Sequence, residues 1–259
     1  MSVPFEQKER YSVQDLLQIL SCLRAPGGCP WDREQTHQSI RSDFLEETYE
    51  AIDAINKQDD AALQEELGDV LLQVAFHAQI AAEQGVFTFD DVADGICKKL
   101  IVRHPHVFGS VQADSTQQVL QNWDAIKRSK GNATQADLLR SVPHAMPALS
   151  RAAKVQNRAR RVGIEQDAEM AQADLLAAWE GFCNASDQQR EAAYGALLFA
   201  LSCSAHRKGL DPELCLMKAT DAFIERFDRA EAQMLAEGVD WNTAEPKHRE
   251  ALRDKVFHP

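Results

Sequence analysis

Apolar residues recur at spacings of three and four along almost the whole chain, and no segment alternates apolar with polar residues. The first spacing lines one face of an α-helix; the second would mark a half-buried strand. Leu16, Leu17, Ile19, Leu20 and Leu23 mark a first helix. Ser12 opens it with Asp15 three residues on, close to a capping box, and Pro26-Gly27-Gly28 stops it. After a loop at Cys29-Pro30-Trp31-Asp32, helices are expected over about 43–57, 61–84, 88–103 and 116–130. Residues 129–147 gather Gly131, Asn132, Thr134, Ser141, Pro143 and Pro147, which reads as a linker. The helical pattern resumes over about 148–162, 169–184 and 187–208, and again from Asp211-Pro212, a good N-cap and N1 pair. The chain therefore reads as all-α, built as two helical bundles over residues 1–130 and 147–259, joined by a linker at 131–146.

The 259 residues suffice for one or two domains whose cores need no metal or disulfide staple. Twenty-eight Lys and Arg against 40 Asp and Glu leave a formal charge of −12. That balance argues against a protein that grips a nucleic-acid polymer, because phosphate backbone calls for a basic face. A local basic pocket for a small phosphorylated ligand remains open. No apolar run is long enough to span a membrane, and Met1 to Arg10 lacks the apolar stretch of a signal peptide. The six cysteines are scattered without a C-x-x-C pair and read as buried free thiols of a reducing compartment, so a cytoplasmic protein is expected.

The informative stretch is acidic. Leu45-Glu46-Glu47-Thr48-Tyr49-Glu50 is followed by Glu65-Glu66-Leu67-Gly68-Asp69. At about 100° per residue, Glu46, Glu50 and Asp53 fall within an arc of roughly 60°, with Glu47 about 100° round. On the next helix Glu66 and Asp69 share a face, and Glu66 borders the apolar stripe of Leu63, Leu67, Val70 and Val74. Two adjacent helices would bring four or five carboxylates together, at a cost unless a cation neutralises them. Single Glu pairs usually sit on solvated faces beside lysines, yet Lys57 is the one base on these two helices. The pattern E-E-x-x-E with E-x-x-D thus points to Mg²⁺, a hard cation that bridges carboxylates to substrate phosphates. Glu34 and His37 also form an E-x-x-H, but a second such motif for a di-iron bundle is missing, since Glu245 to His248 contains Pro246.

Lys99 and Arg103, one turn apart before His104-Pro105-His106, could clamp phosphate oxygens or simply decorate a helix C-terminus with favourable cations. Trp31, and Trp123 with Lys127 one turn on, could stack on a base, although a helical Trp is more often core.

Taken as a set, Gly28-Cys29-Pro30-Trp31-Asp32, Gln35-Thr36-His37, Leu45-Glu46-Glu47-Thr48-Tyr49-Glu50, Glu66-Leu67-Gly68-Asp69 and Arg103-His104-Pro105-His106-Val107-Phe108 resemble the MazG nucleoside triphosphate pyrophosphohydrolases. The resemblance covers nearly the whole chain, as two tandem copies of the helical unit. It implies an all-α fold, usually dimeric, that uses Mg²⁺ (with Mn²⁺ as a substitute) to hydrolyse a nucleoside triphosphate to monophosphate and pyrophosphate. It assigns metal binding to Glu46, Glu47, Glu50, Glu66 and Asp69. Glu47 or Glu50 would activate the water, Lys99 and Arg103 would bind phosphates, and Trp123, Lys127 and Trp31 would meet the nucleotide. Asp53 would orient a ligand or water from behind.

The second copy departs from this pattern. Ala177-Ala178-Trp179-Glu180-Gly181 stands where E-E-x-x-E is expected, and Ala193-Tyr194-Gly195-Ala196 where E-x-x-D is expected. The K-x-x-x-R position reads Ala222 to Arg226, without its Lys. The second unit is therefore expected to fold without holding Mg²⁺, and to pack, dimerise or shape the first site. The alternatives are a sanitising hydrolase specialised for one modified nucleotide, or a nucleotide-sensing or partner-binding module with little turnover.

Overall fold

The computed structural model describes residues 5–111, 115, 118–119, 134–164, 167–239 and 244–257. The chain divides into two compact units, Met1–Lys130 and Gly131–Pro259. Among the described residues there are helices and no strands, so the all-α reading holds.

In the first unit, α1 (Val13–Arg24) and α5 (Phe89–Arg103) both begin with the expected capping boxes, Ser12 with Asp15 and Thr88 with Asp91. Between them lie α2 (Pro30–Glu34), α3 (Arg41–Lys57) and α4 (Asp60–Glu83). A one-turn helix, α6 (Pro105–Phe108), follows α5. Helix α4 is capped by the Asp59 side chain, which accepts from the Ala61 and Ala62 amides. The expected loop at Cys29 to Asp32 is instead the start of α2. Pro30 pre-sets the first helical φ, and the Cys29 carbonyl accepts from the Arg33 amide at 3.1 Å. The preceding turn needs glycine at position 28, where a Cβ would lie 2.2 Å from the Leu23 carbonyl oxygen. The helix expected over 116–130 falls almost wholly outside the described residues.

Leu20, Ile40, Ala75, Phe76 and Ile80 form the core of this unit, with Leu16, Leu17, Leu23, Leu72 and Phe89 against it. Arg24 closes one end. Its guanidinium is 6% exposed and grips Glu83 through two bonds of 2.9 and 2.8 Å. It also donates to the carbonyls of Asp32 and Gln35 and lies 5.3 Å from the centre of the Phe76 ring. One side chain thus ties α1, the end of α4 and the α2 segment together.

The second unit holds α7 (Gln135–Arg140), α8 (Ala148–Arg160), α9 (Ala168–Cys183), α10 (Arg190–Arg207), α11 (Pro212–Ala236) and α12 (Pro246–Phe257). Residues 131–146, expected as a linker, carry α7, a capping box of Thr134 with Asp137, and the fully buried Val142. Arg158 on α8 donates to the Leu138 carbonyl and, at 2.6 Å, to the Ser141 hydroxyl, so this stretch is fastened to the bundle. Helix α12 was not expected from the sequence. Its Val256 joins Ala230, Met234 and Ala244 in a second core. The six cysteines are free as expected, but Cys97, Cys183 and Cys215 are exposed rather than buried. No helix among the described residues is long and apolar enough to cross a membrane.

Leu20, 1% exposed at the centre of the first core, gives the test of this packing. Leu20→Ala is expected to cost about 2–5 kcal/mol, read as a lower urea midpoint for the unfolding transition of the first unit.

Candidate metal centre

Helices α3 and α4 are joined by a tight turn in which Gln58 takes the left-handed conformation (φ 56°). They pack against each other as a hairpin. The small side chains of Ala51 and Ala54 are buried in this seam and let the helix backbones approach. The seam brings Glu47, Glu66 and Asp69 together, with one carboxylate oxygen from each within 4.8 Å of the others. Glu50 stands close enough for its charge to act on Glu66.

The electrostatics follow from the crowding. Partial burial, then the charges of Asp69, Glu50, Glu46 and Asp43, push the Glu47 carboxyl above the ordinary carboxylate range. Glu66 is raised in the same way, by burial first and then by Glu50, Asp69 and Glu47. This donor set fits a hard divalent cation. It offers carboxylate oxygens alone, on two braced helices, in a surround of net negative charge. Among the described residues it is the one group of three or more His, Cys, Asp and Glu side chains spaced to hold a metal.

The structure sorts the expected site residues. Glu47, Glu50, Glu66 and Asp69 come together. Glu46 is not in the converging trio; it lines a shallow groove on α3 with Ser42, Leu45, Tyr49, Glu50 and Asp53. On the helical wheel Glu46 shares an arc with Glu50, and Glu47 stands about 100° round. The direction from which α4 packs makes Glu47 the inward member. Asp53 is exposed and engaged with Lys57 at 2.6 Å. Lys99 is exposed and Arg103 half-buried, and neither has a hydrogen-bond or ion-pair partner among the described residues. Trp31 is 60% exposed on α2. Trp123 and Lys127 lie outside the described residues.

In the second unit, α9 and α10 pack against each other and bring aromatic rings together. Trp179 and Phe182 lie 6.1 Å apart between centroids, and Phe182 and Tyr194 5.3 Å. Arg226 is occupied structurally, donating to the Val256 carbonyl at 2.8 Å. Sequence reasoning passed over His77, which meets His37 at the end of the α3–α4 seam. The signal was a single imidazole in the otherwise apolar run Val74-Ala75-Phe76-His77-Ala78.

Fold and site together define an all-α protein whose helical hairpin presents a carboxylate group of the kind that takes a divalent cation. A family profile described as the MazG nucleotide pyrophosphohydrolase domain matches residues 35–108, the span that contains all four clustered acids. A nucleoside triphosphate pyrophosphohydrolase/pyrophosphatase MazG of Thermotoga maritima is 40% identical over 228 residues, covering 87% of this chain and 88% of the relative. A nucleoside triphosphate pyrophosphohydrolase of Escherichia coli K12 is 38% identical over 258 residues, covering 94% and 98%. An uncharacterised Bacillus subtilis protein is 39% identical over 228 residues, and the chain spans 47% of its length. The chain belongs to the MazG family.

The raised acids fix the sign of a stability effect. Between the ordinary carboxylate value and the raised one, the folded state binds more protons than the unfolded state. The favourable contribution is therefore present at acid pH and lost as pH rises through the raised value. Near neutral pH the metal-free site is expected to destabilise the unit. Mg²⁺ or Mn²⁺ should raise the melting temperature there, and Glu66→Gln should raise it without metal and blunt the response to metal. A melting temperature indifferent to both cations would remove the metal assignment.

Proposed function

We propose that the chain hydrolyses nucleoside triphosphates to the monophosphate and pyrophosphate at a Mg²⁺-dependent site in the first unit. The observation that carries this is the convergence of Glu47, Glu66 and Asp69, with Glu50, inside the segment that matches the family. Glu47, Glu50, Glu66 and Asp69 would hold the cation, with Glu46 at the rim toward the outer groove. When bound, Mg²⁺ would supply charge neutralisation for the triphosphate and its transition state, and Mn²⁺ could substitute. Glu47 or Glu50 would orient the attacking water and take its proton, a role that crowding favours at Glu47 by raising its carboxyl above the ordinary range. Lys99 and Arg103 would meet the charge of the departing pyrophosphate, and Trp31, Trp123 and Lys127 would contact the nucleotide. Attack at the α-phosphorus follows the activity named for the relatives.

The second unit, in this reading, is a copy of the same helical unit that has lost the reaction. Ala177, Ala178, Gly181, Ala193 and Ala196 offer no ligand atom, and Arg226 is bound to the end of α12. Its role would be structural. The proposed setting is cytoplasmic, with no membrane and no nucleic-acid polymer as partner.

The outer side of α3 supports a homodimer. Leu45, Tyr49 and Ile52, spaced one turn apart on one face, are 51%, 42% and 38% exposed beside Glu46 and Glu50. Gly68, between the metal-site acids Glu66 and Asp69, has nothing within 4 Å of where a Cβ would stand. A helical glycine costs about 1 kcal/mol relative to alanine, and close approach by a substrate or a second subunit would account for it.

Each part has its own measurement. With Mg²⁺, nucleoside triphosphates should yield monophosphate and pyrophosphate, with ¹⁸O from solvent in the monophosphate. Glu66→Ala should abolish turnover and Glu180→Ala in the second unit should leave it intact. Label in the pyrophosphate, or strong residual turnover in Glu66→Ala, would overturn the assignment. Leu45→Glu should lower the mass seen by light scattering from that of a dimer to that of a monomer.

A further inference from the structure

His37 and His77 face each other with Nδ1 to Nδ1 at 2.8 Å. Their rings are nearly parallel, at 12° with centroids 5.1 Å apart, and the Phe44 ring lies 5.7 Å from that of His77. At this separation one Nδ1 carries the hydrogen and donates, while the other accepts with its lone pair. Burial, and then the neighbouring His37, lower the pKa of His77.

The pair lies next to the carboxylates along the same seam. His77 is two turns beyond Asp69 on α4, and Phe44 is three residues before Glu47 on α3. Helix α3 begins without a side-chain cap, since its N-cap residue is Ile40. Its entry is held by Ile40 in the core and by the turn that carries His37. The carboxylates repel one another across the seam, so the first two turns of α3 need something that binds them to α4.

We propose that the His37–His77 bond is a positioning device for the acidic centre: it pins the entry of α3 to α4 and so sets Glu47 against Glu66 and Asp69. Neither histidine touches substrate. This inference rests on the metal reading only for its consequence, because the pinning itself is a property of the metal-free protein.

Two variants at position 37 test it. His37→Phe keeps an aromatic ring of similar volume and removes the nitrogen. His37→Asn keeps a hydrogen-bonding atom near the place of Nδ1. Amide hydrogen exchange of the metal-free protein is the primary readout. In His37→Phe the amides from Phe44 to Glu47 should exchange about tenfold faster than in the wild type while those of Phe76 to Ile80 in the core are unchanged. His37→Asn should restore wild-type exchange. Mn²⁺ affinity, followed by the electron spin resonance signal of free Mn²⁺, should fall about tenfold in His37→Phe, within the range found for groups that orient metal ligands. It should recover in His37→Asn. Wild-type exchange at Phe44 to Glu47 in His37→Phe would overturn the proposal, as would equal loss in both variants. A wild-type protein that binds no Mn²⁺ would sink the metal reading alone, since the exchange comparison still decides the pinning.

Discussion

Repulsion among the carboxylates of the α3–α4 seam is the constraint around which the first unit is organised. Glu47, Glu50, Glu66 and Asp69 would separate if their helices were free to move, because each charge raises the energy of the next. They stay together because other parts of the seam hold it closed. Ala51 and Ala54 allow close backbone approach on one side of the acids, and Phe44, His77 and His37 close the other. The uncompensated charge is then available to a cation. In the proposed reading, stability given up in the metal-free state would reappear as affinity for metal.

The rest of the unit supplies rigidity to that seam. The core of Leu20, Ile40, Phe76 and Ile80 fixes α1 and the entry of α3 against α4. Arg24 binds the far end of α4 to the α2 segment through Glu83 and two carbonyls. Its cost of burial is offset by hydrogen bonds to partners of matching geometry. The second unit shows the same kind of hairpin without the electrostatic problem. Where acids are absent, Trp179, Phe182 and Tyr194 associate instead, which needs no ligand to be stable.

Much of this was legible in the chain itself. Helical periodicity marked eight of the helices because their apolar stripes bury against neighbours, and Ser12 with Asp15 and Thr88 with Asp91 announced two starts through local bonding alone. The paired acidic motifs marked out the candidate ligands, three of which converge in the fold. Short elements were harder to read. Helices α2 and α7 each hold too few residues for a period, and α12 carries a weakly amphipathic, highly charged sequence.

By itself, then, the sequence determined the helical class, the capped starts at Ser12 and Thr88 and the set of candidate ligands, since these depend on residues within a turn or two of one another. Only the tertiary structure decided which acids meet. Glu46 and Glu47 are adjacent and chemically identical, and the side from which α4 packs makes Glu47 the inward one. The meeting of His37 with His77, forty positions apart, likewise exists only once α3 and α4 have closed on each other. Local patterns encode what a helix can present, and the packing direction selects what it does present.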